Sequence, residues 1–546
     1  MAQGTTGGGW VSLHSTIASV RTRRMLTWFV PVVGLTLYLI LVPPVPDFAA
    51  QATRAAVFRQ LGSATWWPGW YGGVELPTYS VIAPALMATI GVARTGVIAA
   101  AISIWAAHQM LRGSVRPRAA SVVFAATVLF NLFGGRITFL VGLAAATLAV
   151  LALVRRHPWL AAIATVVSVM GSPLAGLFTG IVAAAVLVTD RTRRREALFV
   201  GAATGLSLGA LAIWFHNPGV MGSPPVQMLL ALIGIALVAV ACRQPTIRAG
   251  AVIVAVGLVI CLIVPNSVGL NLTRMVWLLA GPLIVAYGHR PDKHVVALTC
   301  LALVFPIVDV TWQLAEADSP SAKEAYYQPL LAQLHERMYA GEGIGQRVEV
   351  VEPQTKGAAR YVAESMPVAR GWERQADMVD NPIFYEDGAL TPASYRTWLD
   401  QLAVAYVAVP ATRLDFASVD EAALIATGLP YLHLVWSNDD WKLYRVAGAQ
   451  PLARNAQVIS VSGNQVRLQV PQAGLVPLQI RWSEHLAVLD GTQPVSLGVR
   501  ARGCLSQDGD WTVLHARRPG TYVLTSDFDV LPAAERRGGT CPEPAS

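Results

Sequence analysis

Apolar and polar positions divide this chain into two unlike halves. Eleven stretches of nearly uninterrupted apolar residues fill the first 313 positions, and none follows. Measured against the roughly 20 residues a spanning helix needs, they run over about 25–45, 94–112, 119–134, 137–154, 159–171, 173–189, 196–215, 225–242, 249–265, 273–288 and 294–313. Two pairs are tight hairpins, broken at Gly134-Gly135 and at Gly171-Ser172-Pro173. Beyond 313 the period changes. Runs 346–351, 404–409 and 441–446 read as strands, and 394–402 and 419–427 as helices, which makes 314–450 an α/β region. Short runs at 458–461, 465–470, 478–482, 487–489, 511–514 and 521–524, punctuated by Gly, Pro or Asn, suggest a β-sandwich over 451–546. The expected fold is therefore an α-helical integral membrane domain (25–313) behind an N-terminal tail (1–24), followed by the α/β and β-sandwich regions.

Composition sharpens this division. Only 14% of residues are charged, against about 25% in soluble domains. Six of the 33 acids lie in 1–313: Asp47, Glu75, Asp190, Glu196, Asp292 and Asp309. An ordinary soluble enzyme, intrinsic disorder and a small disulfide-built secreted protein are excluded. The net charge of +8 invites a nucleic-acid partner, but only four of the 41 basic residues are lysine. That skew reads as a GC-rich genome.

The basic residues also orient the chain. With a cytoplasmic N-terminus, the inner segments carry 16 of them, from Arg21 to Lys293. The outer ones carry five: Arg54, Arg59, Arg94, Arg136 and Arg274. This agrees with the positive-inside rule, so the excess charge is topological and needs no nucleic acid. The expected setting is the cytoplasmic membrane, crossed many times, with 314–546 outside the cytoplasm. The first run, about 20 residues long behind a 24-residue tail, reads as a retained anchor rather than a cleaved signal. Outside the cytoplasm disulfides persist, so Cys504 and Cys541 are expected to pair, the alternative being two free thiols. No C-x-x-C pair signals a metal site.

The longest polar interruption of the apolar half is the outer loop 46–79. It opens with Pro46-Asp47-Phe48, continues as an amphipathic stretch, and ends Trp66-Trp67-Pro68-Gly69-Trp70-Tyr71-Gly72-Gly73-Val74-Glu75-Leu76-Pro77-Thr78-Tyr79. The tryptophans taken singly could be an interfacial aromatic belt. That does not account for Asp47, since a carboxylate at the mouth of a spanning helix is costly to hold near lipid and marks function by default.

An Asp just past the first membrane helix, an amphipathic helix and a Trp/Gly/Pro/Tyr segment resemble the first extracytoplasmic loop of the GT-C membrane glycosyltransferases, in their envelope-protein branch. The resemblance covers the loop, the helix layout and, more weakly, the C-terminal region. It implies that Asp47 is a catalytic base, that the donor is a polyprenyl-phosphate sugar, and that the acceptor is a cell-envelope glycan or glycolipid at the outer face of the membrane. Many members carry two adjacent acids in the loop, and relatives often have His four residues on. Here Asp47 stands alone and Gln51 occupies the second position. No cofactor is called for with certainty, and the loop leaves a divalent metal open.

The chemistry agrees with that expectation. Inverting transfer needs one base at the acceptor hydroxyl, because a phosphate leaving group requires little acid help, and positive charge on the departing phosphate. Arg136 and Arg274 are the arginines at the depth of a lipid phosphate, and their forked donors suit it; the plain alternative is interfacial snorkelling. Trp67, Trp70, Tyr71 and Glu75 are expected to shape the sugar site, and His216 to touch substrate from a later outer loop. The segment Arg370-Gly371-Trp372-Glu373-Arg374 could face saccharide, although a solvated loop explains it as well. The rivals are a non-catalytic GT-C-like envelope assembly protein and a transporter or flippase. Against the latter, no internal repeat is visible and the apolar runs are nearly free of ionisable residues.

Overall fold

The computed structural model describes residues 27–215, 219–339, 344–490, 503–526 and 541, and the statements below concern these. Helix α1 (Thr27–Leu41) bends by 69° into α2 (Pro46–Leu61), and α3 (Ala83–Ile90) bends by 116° into α4 (Val92–Leu111). Then follow α5 (Pro117–Phe133), α6 (Ile137–Val154), α7 (Pro158–Gly171), α8 (Pro173–Thr189), α9 (Arg194–Trp214), α10 (Pro225–Ala241), α11 (Pro245–Ile263), α12 (Thr273–Tyr287) and α13 (Asp292–Ala317). Proline opens six of these helices, where its missing N–H costs nothing.

Every apolar run holds helix. By length and composition, five helices are able to cross a membrane, or seven if each bent pair makes one crossing, and four more apolar helices are only 10–17 residues long. The first run ends earlier than expected, because Val42 takes a positive φ of 36° and Pro43-Pro44 follow. Before the second, α3 adds about two helical turns ahead of the expected 94–112; Gly91, at φ 97°, makes the sharp bend.

The helix ends sort into two sets. Segments expected inside contact one another: Arg116 pairs with Asp292 at 2.6 Å and donates to the Gly288 carbonyl, Thr189 meets Thr246 at 2.7 Å, and His289 meets the Ala241 carbonyl. The opposite ends gather beneath the C-terminal half. Adjacent apolar runs therefore alternate in direction through the bundle.

Residues 314–450 form a mixed sheet of β3 (Arg347–Val350), β4 (Val404–Pro410), β5 (Leu432–Ser437) and β6 (Trp441–Val446), in the order β3-β4-β6-β5, after a short hairpin β1 (Trp66–Trp67) and β2 (Val74–Glu75) in the outer loop. Strand β3 is parallel to β4, and β6 is antiparallel to both its neighbours. The chain then makes β7 (Gln457–Ser462), β8 (Gln465–Val470), β9 (Gly474–Arg481), β10 (Leu486–Asp490), β11 (Gly503–Asp508), β12 (Trp511–Ala516) and β13 (Gly520–Ser526). They build two antiparallel sheets, β10-β13-β8-β7 and β11-β12-β9, around a core that includes Leu468, Ile480, Leu505 and Leu524. Cys504 and Cys541 form a disulfide with Cα atoms 5.0 Å apart.

The outer loop fastens the halves together. Trp66 is buried in the sandwich core and donates its backbone N–H to Ser526, while Trp67, Trp70 and Tyr71 enter the core of the α/β domain. Gly371 lets this happen, since a Cβ there would lie 2.5 Å from Cγ of Trp70.

Candidate functional site

A cavity of about 670 Å³ opens between the outer helix ends and the α/β domain. Its helix-side wall includes Asp47, Tyr79, Phe139 and Arg274, and its domain-side wall Lys356, Trp372, Arg374 and Asp415.

Asp47 sits in the first turn of α2, where unpaired helix N–H groups favour a carboxylate. Two contacts hold that turn in place. Gln51, buried, accepts from Thr138 of α6. Gly135, at φ 74°, packs directly on the backbone of Asp47 and Phe48; a Cβ would come within 2.7 Å of the Phe48 nitrogen. That approach brings Arg136 beside Asp47, with Nε 3.5 Å from Oδ2, while its Nη2 pairs with Asp309 at 2.7 Å. Arg136, expected to bind phosphate, is thus held between two acids and lies behind the wall, where it positions Asp47.

Arg274 is differently placed. It begins α12, faces the cavity over the Phe139 ring with Cζ 5.9 Å from the centroid, and has no ion-pair partner among the described residues. Of the two arginines singled out from the sequence, this one is free to meet an anion.

The aromatic cluster does not line the cavity. Trp70 donates to the Ala359 carbonyl at 3.1 Å and Tyr71 to the Glu373 carbonyl at 2.9 Å, both deeply buried, and Trp67 packs edge-on against Trp70. Glu75 accepts from Ser483 of the sandwich at 2.7 Å. These four residues dock the domains, and they bear on the site only by holding its roof. His216 lies outside the described residues, although Phe215 beside it lines the cavity.

The roof is built from the 370–374 run together with Lys356 and Asp415, which no sequence pattern singled out. Trp372 donates to the Pro46 carbonyl at 3.0 Å and meets Tyr79 edge-on. Glu373 forms a buried ion pair with Arg54 of α2, whose guanidinium also lies 4.3 Å from the Tyr79 centroid. Arg374 grips Asp415 through two bonds of 2.8 and 2.6 Å, and Lys356 reaches the same carboxylate at 3.3 Å. The aromatic-flanked run 370–374 was noticed; Lys356, one of four lysines in the chain, was the unused signal. Counting the cavity's charged residues with their ion-pair partners, Arg54, Arg136, Arg274, Lys356 and Arg374 face Asp47, Asp309, Glu373 and Asp415. Five positive charges against four leave one in excess.

A divalent metal does not fit this donor set. Each of these carboxylates is ion-paired to an arginine or lysine. The one grouping of three ligand-type side chains among the described residues is Cys504, His515 and Cys541, whose thiols are already joined.

Behind the roof lies a buried charged network. Arg370 binds Asp377 at 2.6 Å and Glu421 at 3.5 Å, and Tyr395 donates to Glu421 at 2.8 Å. Burial pushes Glu352 and Glu421 up to about 7, with nearby cations working against it. Burial acts the same way on Asp377 and Asp415, but there Arg370, Lys356 and Arg374 win and hold both below the usual range. The signs follow. The raised pair is protonated more in the folded chain, so its contribution is complete below about 4.5 and is lost as pH rises through about 7. The depressed pair contributes above the ordinary carboxylate range and fails on acidification. Stability is expected to peak in mildly acidic solution and to fall as pH rises through about 7. Glu421→Gln should flatten that alkaline limb in thermal unfolding of the detergent-solubilised protein; an unchanged slope would refute the assignment.

Residues 453–546 match a family model described as Domain of unknown function (DUF8823), which spans the sandwich region. No curated protein matches the chain.

Proposed function

We propose that this chain is an integral membrane glycosyltransferase of GT-C type, moving a sugar from a polyprenyl-phosphate donor to a cell-envelope glycan or glycolipid. In this reading the eleven apolar segments all cross the cytoplasmic membrane, the short ones included, with the N-terminus inside and the cavity at the outer face. The observation that carries the proposal is a carboxylate and an unpaired arginine, Asp47 and Arg274, on one wall of a cavity roofed by the extracytoplasmic domain. Asp47 takes the proton of the acceptor hydroxyl, whose oxygen bonds to the anomeric carbon. The sugar–phosphate C–O bond breaks and its electron pair leaves with the phosphate. Arg274 meets that phosphate with two forked donors. A single excess positive charge suits a phosphodiester donor, which carries one negative charge.

One observation favours a second reading, a non-catalytic assembly protein of the same fold: Arg136 approaches Asp47 closely enough to hold it as a structural anion. Purified protein incubated with radiolabelled polyprenyl-phosphate sugars and envelope acceptor separates the two. Transfer supports the enzyme, and binding without transfer supports the rival. In the same assay Arg274→Gln is expected to lower transfer by about 100-fold, the scale of losing one preorganised charge donor. Equal rates for the variant and the parent would remove Arg274 from the phosphate site.

A further inference from the structure

We infer that the α/β domain rests on the outer membrane surface through the loop that carries Arg413, Phe416 and Val419, and that its partner there is the lipid headgroup layer. The inference rests on reading α13 as a spanning helix. Leu301, Val304, Val308 and Trp312 follow one another at helical spacings of three and four, and all four are exposed. They form a single apolar stripe along one face of α13. Trp312 ends it, 20 residues beyond Asp292, or about 30 Å at the helical rise. That is one hydrocarbon thickness, the level at which tryptophan belts lie.

The domain meets the helix at that level. Arg413 stacks its guanidinium 4.4 Å from the Trp312 centroid and reaches Glu316, one turn higher, at 3.2 Å. The loop beyond Arg413 is therefore set on the lipid side of α13. Three residues on, within about 10 Å of extended chain, Phe416 is 68% exposed, and Val419 at the start of the next helix is exposed too. Both are large apolar side chains next to a basic one, the composition of an interfacial contact. Phe416 is held outward from behind, with the Arg374 guanidinium 4.5 Å from its ring. Because Trp312, Gln313 and Asp415 also line the cavity, this contact forms one lip of its mouth. A lipid-linked substrate then slides from the leaflet past Trp312 and Phe416 without leaving the interface.

The test is fluorescence of the full chain in phospholipid nanodiscs. Phe416→Cys and, separately, Val419→Cys, each in a Cys300→Ser background, are labelled with nitrobenzoxadiazole. Cys242 and Cys261 are buried, and Cys504 and Cys541 are paired. Headgroup-level spin-labelled lipid is expected to remove most of the emission at one or both positions, with protection from aqueous iodide. Loss to iodide and none to the spin-labelled lipid, at both positions, overturns the inference. A label on the native Cys300 of α13, about 12 Å from Asp292 and so near mid-bilayer, serves as reference with acyl-chain spin-labelled lipid: if it escapes that quenching, the spanning of α13 fails and the inference with it. None of these readouts requires transfer, so failure of the catalytic proposal would leave them standing.

Discussion

Asp47→Asn is expected to cut glycosyl transfer by about 10²–10⁴-fold, the range for removing a general base, while leaving folding and membrane insertion intact. The amide keeps the size of the carboxylate and its place in the first turn of α2. Arg136 keeps Asp309 at 2.7 Å, so no buried cation is stranded. Gln51 and Gly135 still hold the α2–α6 junction. Donor binding should change little, because Arg274 rather than Asp47 meets the phosphate. The measurement is transfer rate alongside donor affinity, with size-exclusion behaviour as the check on folding. Wild-type transfer by this variant would dismiss Asp47 as the base. Lost transfer together with lost donor binding would turn it into a residue that shapes the donor pocket.

The second large effect is on assembly. Arg54 and Glu373 are both nearly inaccessible and join α2 to the roof of the cavity. Removing one member of a buried pair leaves the other charge uncompensated, at a cost of about 3–5 kcal/mol. Arg54→Met should therefore lower the thermal stability of the docked chain and expose the 370–374 segment to protease. The double variant Arg54→Met, Glu373→Leu should recover much of that stability, since well-packed apolar replacements of a buried pair are often neutral. A single variant as stable and protease-resistant as the parent would show that docking depends on the Trp66–Tyr71 aromatics alone.

Much of the helical half was legible in advance because lipid permits little else. In hydrocarbon every backbone group must be satisfied within its own segment, so long apolar runs are read as helices. The sandwich was legible in outline for a related reason, since alternating apolar positions between turn residues admit few other solutions. Strand β5 escaped because it is an edge strand with four of its six residues exposed, so it carries little alternation. Strand β11 has two adjacent buried residues after its glycine and none of the usual pattern.

The site was legible in half. Asp47 and Arg274 stood out because charges are scarce in a membrane segment, and both face the cavity. Arg136 stood out equally and turned out to be paired, which only the approach of Gly135 to α2 decides. The aromatic segment, expected at a sugar site, instead packs in a domain core, because a Trp-rich loop has the same composition whether it binds a saccharide or plugs a core. Lys356, Arg374 and Asp415 come from positions more than 300 residues beyond Asp47, and no local pattern joins them to it. By itself the sequence determined the helical bundle and one candidate carboxylate, since those follow from local hydropathy and charge. Tertiary structure alone decided which arginine is free, which tryptophans are packing and what closes the cavity, because ion pairing and burial depend on neighbours distant in the chain.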